Sequence, residues 1–285
     1  NAGNFNLFVG NDAGTVNTGA NNTFVGNGAG FANAAGSFNS YFGNAAGRDN
    51  TTGNKNSFFG FWAGIRNTSG ISNSFFGANA GIKNTSGSYN AFFGGSAGQE
   101  NAGGEFNSFF GFASGLNNTA GNSNAFFGTN SGSSNTTGGN NSFFGDGAGY
   151  ASNASNNAFF GSLAGYFNTT GNNNSYFGWK AGQGINVGFG NFNSFFGSMA
   201  GGSNTGGSSN SFFGASSGQS NTTGHSNSFF GTESGAVNST GIGNSFFGVE
   251  AGKSSATGND NSFFGRGAGR FNTAGGNSFF GNFSG

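Results

Sequence analysis

A short apolar pair recurs along the whole chain in otherwise polar, glycine-rich sequence. Phe58-Phe59, Phe75-Phe76 and Phe92-Phe93 are three examples, each closed by glycine. The closing glycine falls at positions 10, 26, 43, 60, 77, 94, 111, 128, 145, 161, 178, 197, 214, 231, 248, 265 and 281. The spacing is 17 in twelve of sixteen intervals, 16 in three and 19 in one. A fixed period of this kind is the signature of a repeat architecture. The unit reads Asn-Ser-Phe-Phe-Gly-x-x-Ala-Gly-x-x-Asn-Thr-Thr-Gly-x-x. No apolar spacing of three or four residues runs through it, so no helix is predicted. Ser-Phe-Phe has strand chemistry and the glycine after it marks a bend. The second glycine and the Asn-Thr-Thr-Gly stretch read as two further corners.

Three short sides and three corners predict one turn of a narrow, all-β parallel solenoid. About 17 such rungs would stack in register over roughly 80 Å at ~4.8 Å per rung. One rung buries only two aromatic side chains, too little to offset the ordering of its backbone, so rungs must stack to fold. No linker interrupts the pattern, and residues 1–285 are expected to form a single array. The first and last rungs look like interior ones. The array is therefore expected to be uncapped, and either to continue in a longer chain or to stack end to end.

The asparagine that opens each repeat never varies: Asn6, Asn22, Asn39, Asn56, Asn73, Asn90, Asn107, Asn124, Asn141, Asn157, Asn174, Asn193, Asn210, Asn227, Asn244, Asn261 and Asn277. Stacked in register, these side chains are expected to bond amide to amide in a ladder. A second column, through Asn50, Asn67, Asn84, Asn101, Asn118 and Asn135, fits a ladder or simple corner chemistry equally well.

Neighbouring strand residues face opposite ways. Tyr41 and Tyr176 replace the first aromatic, and Val9 and Val25 the second. On that basis the second ring is expected inside (Phe42, Phe59, Phe76, Phe93, Phe110, Phe127, Phe144). The first is expected outside (Phe58, Phe75, Phe92, Phe109, Phe126, Phe143). The alternative is a sharp bend that turns both rings inward. An outward ring on every rung makes an apolar stripe too large for a monomer surface, and a second copy is the natural cover.

Gly occurs 62 times and Phe 41 times, with no Pro or Cys. Eight basic and eight acidic residues balance, so no electrostatic footprint for nucleic acid is present. No apolar run reaches the ~18–20 residues of a membrane span. All charges sit at variable positions. Asp49, Arg66, Lys83 and Glu100 share one of them and should form a surface column, with Lys83 beside Glu100. Glu233 and Glu250 are likewise stacked, with Arg266 one rung on.

His225 stands alone at a variable position, and no repeat carries a fixed Asp for calcium. No catalytic, cofactor or metal site is expected. Glycosylation sequons occur at Asn50, Asn67, Asn84, Asn135, Asn168, Asn221 and Asn238, although the corner calls for the same residues.

The Asn-Ser-Phe-Phe-Gly, Ala-Gly and Asn-Thr-Ser-Gly elements of 56–70 resemble Asn/Gly-rich tandem repeats of bacterial surface and tail-fibre-like proteins. They are also similar to the strand motif in head domains of trimeric autotransporter adhesins, which implies a parallel β-roll. The repeat here is longer, and Phe replaces small aliphatics. The expectation is a self-assembling structural fibre, extracellular or on the cell surface, and not an enzyme. An adhesin stalk or head that binds glycan or matrix is the first alternative. An ice-binding solenoid is the second, though its Thr column is broken at Ala34-Ala35, Ala102-Gly103 and Gly206.

Overall fold

The computed structural model describes residues 5–184 and 190–285. Among them are seventeen three-residue strands and no helix. Contacts divide the chain into two units, Asn1–Asn141 and Ser142–Gly285. The first holds β1 (Leu7–Val9), β2 (Thr23–Val25), β3 (Ser40–Phe42), β4 (Ser57–Phe59), β5 (Ser74–Phe76), β6 (Ala91–Phe93), β7 (Ser108–Phe110) and β8 (Ala125–Phe127). The second holds β9 (Ser142–Phe144), β10 (Ala158–Phe160), β11 (Ser175–Phe177), β12 (Ser194–Phe196), β13 (Ser211–Phe213), β14 (Ser228–Phe230), β15 (Ser245–Phe247), β16 (Ser262–Phe264) and β17 (Ser278–Phe280).

Within each unit every strand pairs in parallel with the next, residue upon equivalent residue: Ser57 on Ser74, Phe58 on Phe75, Phe59 on Phe76. Each unit is thus a parallel β-solenoid with one strand per rung. The expected three-sided rung is corrected here, because the other two sides are turns and bends.

Rung 56–72 shows why the turns close. Gly60 has φ 142°, and a Cβ there would lie 2.5 Å from the Gly77 carbonyl oxygen of the next rung. Gly64 has φ 57°, and its Cβ would lie 2.6 Å from the Phe58 ring. Glycine at these two corners is therefore required by conformation and by close approach together. Two further left-handed positions carry ordinary side chains, Trp62 (φ 59°) and Ser72 (φ 55°). Backbone bonds run from rung to rung around the circuit: Ser57 N–H donates to Asn73, Gly64 to Ala80 and Arg66 to Ile82, at 2.8, 2.9 and 3.2 Å.

The two aromatic positions are reversed from expectation. Phe58, Phe75, Phe92, Phe109, Phe126 and Phe143 are wholly buried. Phe42, Phe59, Phe76, Phe93, Phe110, Phe127 and Phe144 are half-exposed on the outer face. Strand alternation is obeyed, so the bend that would turn both rings inward does not occur. Ser57 faces out, Phe58 in and Phe59 out, and strands that open with alanine keep the same phase. The inner ring then lies on Gly64 and beside buried Ala63. The substitutions fit this phase too, since Val9 and Val25 lie in outer positions and Tyr41 is fully buried.

Both positions form stacks. Inner rings Phe58 and Phe75 lie 4.7 Å apart with planes 7° from parallel, and outer rings Phe59 and Phe76 lie 4.6 Å apart at 5°.

Candidate assembly surface

The outer aromatic file is an apolar feature that reaches solvent at every rung of each unit. It runs through Phe42, Phe59, Phe76, Phe93, Phe110 and Phe127 in the first, following Val9 and Val25 in the first two strands. In the second it runs through Phe144, Phe160, Phe177, Phe196, Phe213, Phe230, Phe247, Phe264 and Phe280. Each ring covers its faces with the rings above and below, leaving edges toward solvent. Additional exposed aromatics stand at the position before the opening asparagine, where Tyr89 stacks on Phe106 at 5.0 Å.

The surface is held rigid by two buried asparagine files, and their division of labour differs from the sequence expectation. In the first file the side chain bonds backbone. Asn56 Oδ1 accepts the N–H of Asn73 at 2.9 Å, and Asn56 Nδ2 donates to the Gly70 carbonyl at 2.8 Å. The strand-opening N–H thereby gains an acceptor it lacks in the ladder. The same pattern recurs from Asn22 through Asn261 at most rungs.

Amide-to-amide bonding runs mainly down the second file; in the first it occurs at a few rungs, Asn141 donating to Asn124 at 3.1 Å and Asn244 to Asn227 at 3.2 Å. Asn67 Nδ2 donates to Asn50 Oδ1 at 2.9 Å, and Asn84 Nδ2 to Asn67 Oδ1 at 2.8 Å. Asn67 Nδ2 also reaches the Gly70 carbonyl at 3.1 Å, so one carbonyl ties both files together.

This arrangement removes the glycosylation candidates. Asn50, Asn67, Asn84, Asn135, Asn221 and Asn238 have no exposed surface and Asn168 has 5%. Their amide nitrogens donate inside the rung or to the neighbouring asparagine. A glycan on Nδ2 would have to occupy the packed interior, so these sites are incompatible with the fold.

The charged positions are all at least partly exposed. Lys83 bonds Glu100 at 2.5 Å, as their shared column suggests. Glu250 is met by Lys253 at 3.0 Å and Arg270 at 3.2 Å, and Lys253 also pairs with Glu233. Arg266, one rung on from Glu250, lies over the Phe283 ring. The Lys253 hydrogen bond holds the Glu250 carboxyl below its usual range, outweighing desolvation, with Arg270 adding to the effect. For Glu100, desolvation pushes upward, but bonds from Lys83 and Gln99 win and the net shift is downward. Burial pushes the Tyr41 and Tyr176 phenols far above their ordinary value, so both are neutral.

Among the described residues no group of three His, Asp or Glu is placed to hold a metal. No helix there is long and apolar enough to cross a membrane. The corner threonines turn their hydroxyls to the next rung, Thr51 Oγ1 donating to the Thr68 carbonyl and Thr68 to Thr85, each at 2.9 Å. No protein-family model, no curated protein and no solved structure matches the chain.

Proposed function

We propose that the chain is a structural segment that associates laterally through its outer phenylalanine file, forming a filament or surface fibre outside the cell. The observation that carries this reading is the file itself. In each unit it is an uninterrupted row of partly exposed rings, on a chain with balanced charge and no electrostatic barrier to association. Apolar surface of this extent is normally covered, and an identical file on a second copy matches it in spacing rung for rung. The likeness of the rung to bacterial surface repeats and autotransporter heads supports placement at the cell surface. The role is mechanical, not catalytic: side chains at equivalent places are spent on stacking and on backbone bonding.

The test replaces Phe76, Phe93 and Phe110 together with threonine, which keeps strand preference and removes the outer rings. Wild-type chain should associate with rising concentration in sedimentation velocity, and the triple variant should remain monomeric with unchanged far-UV circular dichroism. Wild-type chain that stays monomeric at high micromolar concentration, or a variant that associates as well as wild type, would sink the reading.

A further inference from the structure

One place in the first unit breaks the monotony of the rung. Arg48, Trp62, Ile65, Arg66, Ile82 and Lys83, from three successive rungs, line an open pocket of about 300 Å³. That volume is at the small end of ligand sites and suits a single ring.

The charges around it are unevenly satisfied. Both Asp49 oxygens are taken by Arg48, at 2.7 and 3.1 Å. Glu100 accepts from Lys83 at 2.5 Å and from Gln99 at 3.2 Å. Arg66 stands in the same column between Asp49 and Lys83, yet makes no ion pair among the described residues. Its guanidinium is an exposed, unspent fork of the kind that grips a carboxylate through two parallel bonds. Beside it Trp62 is 41% exposed, with Phe61 stacked on its indole at 4.6 Å. Ile65 and Ile82 supply apolar walls.

We infer that this pocket binds a carboxylated sugar ring of an acidic polysaccharide, with the ring against Trp62 and the carboxylate on Arg66. An indole accepts the C–H face of a sugar ring, and Arg66 adds selection for the acid over its neutral counterpart. The pocket is open and flanked by Arg48 one rung before and Lys83 one rung after. Both flanking cations are paired with carboxylates, so Arg66 carries the net positive charge that a polymer running along the solenoid axis would meet. The site goes beyond the fibre reading and does not depend on it, because it lies in one unit and needs no second copy.

Trp62 reports the site directly once Trp179 is replaced, since these are the two tryptophans of the chain. In W179F, oligogalacturonate should shift and quench the remaining emission saturably, and added salt should weaken the effect. Arg66→Gln in that background should weaken binding at least about tenfold, with unchanged circular dichroism because the side chain is exposed. Maltotetraose, sodium sulfate and sodium benzoate at matched ionic strength should give little response.

Absence of a response to oligogalacturonate overturns the inference, as does unaltered binding by the Arg66→Gln chain. An equal response to maltotetraose would reduce the site to stacking. Equal responses to sulfate or benzoate would show a simple anion site. Each of these also overturns the inference. Lateral association is read separately by sedimentation, so failure of one proposal is distinguishable from failure of the other.

Discussion

Tyr41 occupies the inner file where Phe58 and Phe75 stand in the next two rungs. Its ring stacks normally, 4.9 Å from Phe58, but its hydroxyl is buried beside Asn56 without a hydrogen-bond partner. A buried hydroxyl that bonds nothing costs about 1–3 kcal/mol of desolvation. Tyr41→Phe should therefore stabilise the first unit by about 1 kcal/mol, visible as a higher midpoint in urea unfolding. A lower midpoint would show that Asn56 Nδ2 donates to the hydroxyl oxygen after all. The same residue explains why the inside and outside rings are easily exchanged when only the sequence is read. Tyrosine suggests water and valine suggests a core, yet here tyrosine is enclosed and Val9 and Val25 lie outside. Serine at the preceding position of most strands, with the strand period of two, is consistent with the observed phase, although alanine stands there in others. The glycine six residues after each inner ring fits it too, since it leaves room for the ring face.

At the level of the rung, period, strand and the aromatic pair are legible in the sequence because every one of them repeats. The chemistry of each asparagine file is not, because it depends on which backbone groups the corners bring near. Asn56 faces an unpaired strand N–H and a corner carbonyl, whereas Asn67 faces another amide. The second file gives its own test where serine interrupts it. Asn238 Oδ1 and Ser255 Oγ are both buried and unbonded, since the serine is too short to reach one rung down. Ser255→Asn should let a new amide donate to Asn238 Oδ1 and to the corner carbonyl of its own rung, as Asn238 does with Asn221 at 3.0 Å. A gain of about 1 kcal/mol is expected, measured by urea unfolding of the full chain. Slower amide exchange at neighbouring rungs should accompany it. A loss of stability would mean that the serine relieves crowding at Gly258, whose added Cβ would meet Ser255 Oγ at 3.1 Å.

For the molecule as a whole, charge balance is the quantity that acid changes most. Glu100 and Glu250 are held below their ordinary range by their partners. Their folded-state values lie below the unfolded ones, so their ion pairs contribute stability above the unfolded value near ~4.3. That contribution is lost as pH falls through the lowered folded value. Exposed pairs are individually weak, so the rungs, held by ring stacks and amide bonds that do not titrate in this range, should survive. What changes is the net charge. With the carboxylates protonated, eight Lys and Arg side chains are left uncompensated. Copies that meet along the outer file should then repel. Lateral association is therefore expected to fall steeply between about pH 5 and pH 3, where carboxylates titrate, with strand signal in far-UV circular dichroism retained. About 0.5 M salt shortens the screening length to a few ångströms and should restore association at the acidic end. Light scattering across that range decides the matter. Association that persists in acid without salt would mean that ring contacts outweigh charge, while acid dissociation that salt fails to reverse would point to loss of the rung itself.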